Sequence, residues 1–209
     1  MTLLNDLINR CPALAVCEPD IQNAIRLLIK TFRDGGKLLM CGNGGSASDC
    51  EHIVGELMKD FMVSRKIPEN TRKKILASAP GNGEYIAEHL QGALPAISLT
   101  SHMSFISAFS NDKAADLAFA QQVYGYGKPE DCFMGLSTSG NSKNIVYAAE
   151  TAKALEIKTI ALTGATGGVL GGVCDVVIKS PSHITPIIQE HHVSIYHTVC
   201  MILEETFFL

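Results

Sequence analysis

Four hydroxyls, those of Ser137, Thr138, Ser139 and Ser142, surround one glycine in the run Leu136-Ser137-Thr138-Ser139-Gly140-Asn141-Ser142. The run follows an apolar stretch and precedes a helical pattern, so it sits where a strand hands over to a helix. Such a turn can hold a phosphate. The hydroxyls donate hydrogen bonds, Gly140 lets the backbone approach, and the free N–H groups opening the helix aim a positive dipole end at the anion. A serine-rich turn that merely caps its helix has the same composition, so this segment alone leaves both readings open. A second glycine loop, Gly42-Asn43-Gly44-Gly45-Ser46, ends an earlier apolar run and makes Asn43, Gly44 and Ser46 candidate ligand contacts.

Residues that could transfer protons or bind a cation lie on two helical patterns. His52 and Glu56 are four apart, hence on one helix face, and can share a proton or a metal. Near the carboxyl end, Gln189-Glu190-His191-His192 is followed by His197. Gln189 and His197 are separated by about 12 Å along a straight helix and roughly 80° around it. They meet at one ion only if their side chains lean together or if different subunits supply them. His192 and Tyr196 read as core-facing or hydrogen-bonded. Asp112, after the turn Thr100-Ser101-His102, could bind a sugar hydroxyl, and the simpler reading is a cap on the next helix.

These residues need a scaffold that brings distant loops together. Apolar runs of strand length recur at 37–41, 96–100, 132–137, 159–163 and 175–179, with helical periodicity between several of them. The alternation predicts an α/β fold, a parallel sheet flanked by helices, with five strands in all. Helices are expected at 2–8, 21–32 and 187–207. With strand order 2-1-3-4-5, strands one and three flank the switch point, so the two glycine loops would face one cleft. The stretch 64–95, broken by Pro68, Pro80 and Pro95 around a short helix at 84–90, reads as a surface insertion in what is otherwise one domain spanning 1–209.

Composition narrows the function classes. The chain has 209 residues, 46% hydrophobic and 18% charged, with a net charge of -4, and its cations cluster only at Arg65, Lys66, Arg72, Lys73 and Lys74. Direct nucleic-acid binding is not expected. The seven cysteines are odd in number and lack C-x-x-C spacing. They read as small apolar groups in a reducing cytoplasm. No apolar run reaches the length of a membrane span, and the start of the chain lacks the order of a signal peptide.

GNGGSASDCEHIVGEL at 42–57, SNDKAADLAF at 110–119, LSTSGNS at 136–142, ALTGATGG at 161–168 and IIQEHHVSIYH at 187–197 together resemble the sugar isomerase (SIS) domain of bacterial phosphoheptose isomerases. The resemblance covers nearly the whole chain outside 64–95. It implies a three-layer α/β/α sandwich around a five-stranded parallel sheet, assembled as a homotetramer with active sites between subunits, and a phosphate held by Ser137, Ser139 and Ser142, with Ser46 and Thr138 close to the sugar. It also implies one zinc ion (Zn2+) per subunit on His52, Glu56, Gln189 and His197, with Glu56 as base and His197 as acid. The implied reaction is aldose–ketose isomerisation of sedoheptulose 7-phosphate through an enediolate, in which a base moves the proton beside the carbonyl.

Two positions depart from the resemblance. Pro186 stands three residues before Gln189, where the heptose enzymes often carry an acid, and Asp60 stands four after Glu56, where an arginine is common. Both touch the sugar end of the pocket, so an isomerase of another sugar phosphate and a non-catalytic SIS protein stand beside the main reading. The retained Glu56 and His197 argue against the last.

Overall fold

The computed structural model describes residues 2–209. Strands β1 (Leu38–Gly42), β2 (Ala96–Ser98), β3 (Cys132–Ser137), β4 (Lys158–Thr163) and β5 (Val176–Lys179) form one parallel sheet in the order 2-1-3-4-5. Successive side chains on a strand point to opposite faces, and here both faces are covered. Leu38 and Met40 of β1 with Met134 and Leu136 of β3 pack on one side, against α2 (Glu18–Arg33), α3 (Gly45–Met58) and α10 (Thr185–Phe208). Leu39, Cys41 and Phe133 pack on the other, against α7 (Ala118–Tyr126), α8 (Lys143–Ala154) and α9 (Leu170–Val173). The chain opens with α1 (Leu3–Arg10), which packs on α10.

The strands lie within one or two residues of their expected positions. Strand β2 is the shortest, stopping at Ser98; beyond it, the Thr100 and Ser101 hydroxyls donate to Glu51 on α3. The stretch 64–95 holds α4 (Glu69–Ser78) and α5 (Gly83–His89), followed after β2 by α6 (Met103–Phe109). Helix α4 buries none of its residues. Its sequence therefore carries no apolar stripe to announce it.

The crossovers from β1 and from β3 leave the sheet towards opposite faces, so their carboxyl ends flank a crevice. One contact joins the two loops there. Asn43, after β1, and Asn144, in the first turn of α8, exchange amide hydrogen bonds of 3.0 and 2.9 Å.

Candidate functional site

The first loop is shaped by close backbone approach. A Cβ on Gly42 would lie 2.5 Å from the Ser46 carbonyl oxygen, so only glycine lets the chain turn back so tightly into α3. Ser46 is buried in the first turn, its N–H donating to the Asn43 carbonyl at 3.0 Å. Along α3 the apolar Cys50, Ile53 and Leu57 face the core. His52 and Glu56 each precede a core residue and so lie at the edge of the buried stripe, against α10.

There the expected proton-transfer residues meet. His52 Nε2 lies 3.1 Å from Glu56 Oε1 and 3.4 Å from His197 Nε2. On its other side, His52 Nδ1 is 3.0 Å from the Tyr196 hydroxyl, which donates to Asp49 Oδ1 at 3.2 Å. One ring nitrogen thus faces two candidate partners with at most one proton to share. Glu56 is 8% exposed, and its Oε2 is buried without a hydrogen bond, the ammonium of Lys59 standing 3.6 Å away. Burial first, then the neighbouring His52, lowers the His197 pKa, with Glu56 opposing. Burial also raises the Asp49 carboxyl, opposed by the Tyr196 hydrogen bond.

As a set of donors, two imidazoles and one carboxylate suit zinc, and Glu56 Oε2, buried without a hydrogen bond, already draws the Lys59 ammonium to 3.6 Å. The arrangement is less complete. No group of three His, Cys, Asp or Glu side chains among the described residues is disposed to hold a metal ion. Gln189 stands apart, its amide packed against Gly45 at the start of α3, where a Cβ would come within 2.7 Å of Nε2. Three of the four expected ligands therefore gather in one chain, while the fourth lies two helical turns away.

The phosphate-type turn follows β3. Ser137 is buried and shares a 3.1 Å hydrogen bond with the Ser142 hydroxyl. Ser142 is the N-cap of α8, yet its hydroxyl does not bond its own helix. The Ser139 hydroxyl accepts from the Asn141 N–H at 3.1 Å. Gly140 has φ +67° and packs on the loop after β4; its carbonyl accepts from Leu170 N–H, and Asn141 Oδ1 accepts from Val169 N–H. A cavity of about 240 Å³ opens beside Thr138, Ser139 and Asn141, bounded by Gly164, Thr166 and Thr185. The Thr138 and Ser139 side chains and the first turn of α10 line this space, which is of a size for a small polar group, whereas Ser137, Gly140 and Ser142 lie outside its lining.

The fold has counterparts among known proteins. The SIS domain family model matches residues 13–77 and 83–164. Phosphoheptose isomerase 2 of Campylobacter jejuni is 41% identical over 90% of this chain and 81% of its own length. The chain belongs to the SIS-domain phosphoheptose isomerase family. Among solved structures, a phosphoheptose isomerase from Francisella tularensis superposes with a TM-score of 0.74 at 30% identity, over 98% of this chain and 100% of that one. Phosphoheptose isomerase GmhA from Neisseria gonorrhoeae gives 0.75 at 28% identity, over 96% and 94%.

Set within a SIS-domain isomerase, the remaining residues sort as follows. Asp112 caps no helix, contrary to the simpler expectation. It lies in a π-helical turn (Ser110–Ala114), and its exposed carboxylate accepts from the Asn111 side chain at 2.9 Å, while α7 starts only at Ala118. The π turn and the 3-10 turn after it (Ala115–Leu117) leave Asp112 five residues short of Leu117, the N-cap of α7. The Asn43 side chain is engaged by Asn144, a partner that the loop sequence does not point to. Asp49 was also missed; its one signal is a position three residues before His52 on the same helix face. Pro186 lies in the first turn of α10, a place suited to its missing N–H.

His192 is fully buried among core residues, with Nε2 donating to the Thr163 carbonyl at 3.2 Å and Nδ1 without a hydrogen bond. Burial holds its pKa at about 4, against an ordinary 6.5, with the Thr163 bond opposing. The folded state keeps this imidazole neutral, whereas the unfolded chain protonates it below pH 6.5. The stability it supplies is present above that value and lost as pH falls towards 4, by roughly 3 kcal/mol. Denaturant unfolding at pH 7 and pH 4.5 should show this loss, and His192→Gln should remove that part of the pH dependence. An equal pH dependence in the variant would place the titration elsewhere.

Proposed function

We propose that the chain is an aldose–ketose isomerase that converts sedoheptulose 7-phosphate to a heptose 7-phosphate through an enediolate. The meeting of His52, Glu56 and His197, on a sheet whose other crevice loop is built for phosphate, carries the reading. Its family membership and the names of its relatives support the substrate. Ser137, Ser139 and Ser142 hold the phosphate, with Asn43, Gly44, Ser46 and Thr138 along the sugar and Asp112 and Gln189 as outer contacts. Glu56 takes the proton from the carbon beside the ketose carbonyl, and its half-unsatisfied carboxylate is suited to accept it. His197 exchanges a proton with the neighbouring oxygens, and the proton returns to the adjacent carbon to complete the aldose.

Zinc belongs to the same proposal as an occupant of His52, Glu56 and His197, with Gln189 supplied by a neighbouring subunit, and when bound it would polarise the carbonyl. Elemental analysis of protein purified without chelator should find about one zinc per chain, and His52→Ala should lose it. Full turnover by metal-free protein would remove zinc from the account.

The assembly proposed is a homotetramer with active sites between subunits. Gln189 and His197 face separate parts of the helix pair, and Met58, Met62, Met103 and Phe105 expose apolar surface. Free cysteines, five of them buried, suit a reducing cytoplasm. No helix of the described residues is long and apolar enough to cross a membrane.

A panel of ketose phosphates from five to seven carbons tests the reaction and the sugar together. Sedoheptulose 7-phosphate should have the highest kcat/KM, and no turnover of any sugar would exclude isomerase activity. Ser139→Ala should raise KM about tenfold with little change in kcat, since it removes a contact to the non-reacting phosphate. A fall in kcat alone would contradict its assignment.

A further inference from the structure

Arg65 is 1% exposed, and the proton-transfer scheme makes no use of it. It lies in the stretch expected on the surface, yet each of its guanidinium nitrogens is engaged. Nε donates to Glu204 Oε1 at 2.7 Å, Nη1 to the Leu57 carbonyl at 2.8 Å, and Nη2 to the Glu56 carbonyl at 2.8 Å. The Phe208 ring lies 4.8 Å beneath the guanidinium carbon. Glu204, also 1% exposed, accepts from the N–H groups of Phe61 and Met62, both at 2.8 Å. Burial would raise its carboxyl, but these two bonds and Arg65 hold it below the ordinary value.

The pair joins the two helices that carry the chemistry. Arg65 grips the last carbonyls of α3 at Glu56 itself, and Glu204 lies on α10, seven residues and nearly two turns beyond His197. A buried ion pair is a poor source of net stability, because desolvation offsets its attraction and apolar side chains of similar volume often serve as well. What a planar guanidinium supplies instead is direction, since its rigid fork fixes several acceptors relative to one another.

We infer that Arg65 and Glu204 are positioning residues that set the Glu56 carboxylate against His197 by locking the end of α3 to α10. The inference rests on Glu56 and His197 being the proton-transfer pair proposed above. Displacing a reacting group by about 1 Å can cost on the order of 100-fold in rate. A loss confined to this geometry lowers kcat and spares phosphate affinity, because the turn after β3 is untouched.

The test compares wild type, Glu204→Gln and Arg65→Lys as full chains acting on sedoheptulose 7-phosphate, at a temperature well below each variant's unfolding midpoint. Glu204→Gln keeps an acceptor and a similar volume, and Arg65→Lys keeps the charge without the fork. Both should lose about 10-fold or more in kcat per folded molecule, with KM within about twofold of wild type. Wild-type kcat in folded variants, with only a lowered unfolding temperature, would mean that the pair merely caps the helix and would overturn the inference. Failure of both variants to fold would overturn it too, by assigning the pair to folding. An inactive wild type would instead defeat the isomerase reading before any variant is compared.

Discussion

Glu56→Gln will abolish isomerisation while leaving sugar-phosphate binding within about threefold of wild type, a change well under 1 kcal/mol. The substitution keeps size and shape but removes the oxygen charge that accepts the carbon-bound proton. General base catalysis contributes typically 10²–10⁴-fold, and replacing the proposed base Glu56 should cost that order in rate. Its hydrogen-bond partner His52 and the Arg65 grip on its carbonyl remain, so the helix should keep its position. Initial-rate assays paired with calorimetric binding of the sugar phosphate separate the two effects. Full activity in this variant would mean that the base lies elsewhere.

Gly140→Ala should destabilise the fold by roughly 3–5 kcal/mol and remove phosphate binding, since two penalties fall on one atom. The residue has φ +67°, a conformation that side-chain-bearing residues rarely adopt, and the added Cβ would lie 2.1 Å from the Gly167 carbonyl oxygen. Neither loop can retreat easily, because the Gly140 carbonyl and the Asn141 side chain both accept from the start of α9 and its approach. Gly35→Ala is the matched control. That glycine has φ +81° with nothing within 4 Å of the new carbon, so it bears the conformational penalty alone, about 1–2 kcal/mol. Urea unfolding of both variants decides the matter, and equal losses would show that the packing against Gly167 contributes nothing.

The sheet was readable because a buried parallel strand is a short, continuous apolar run, and β1 and β3 are such runs ending in glycine or serine loops. The expected strand order, 2-1-3-4-5, is the one observed, and with it the two loops fall at one crevice. His52 and Glu56 were paired by helical spacing alone. The features that escaped share one physical cause, which is that their partners are remote in sequence. Arg65 and Glu204 are 139 positions apart, and a charged residue in a polar segment is ordinarily solvated. Tyr196 reaches Asp49 across 147 positions, and Asn43 reaches Asn144 across 101. Helix α4 escaped for another reason, because it buries none of its residues and so lacks amphipathic periodicity. Gln189 shows the limit of spacing arguments: its distance from His197 was foreseen, but only the packing of α10 on α3 shows that its amide rests on Gly45.

The enediolate mechanism is tested most directly by solvent isotope incorporation. Wild-type protein equilibrated with sedoheptulose 7-phosphate in deuterium oxide should place deuterium on the carbon next to the carbonyl, visible by proton NMR as loss of that signal. Glu56→Gln should leave the signal intact under the same conditions. Turnover by wild type to equilibrium with no deuterium at that carbon would contradict proton abstraction by Glu56.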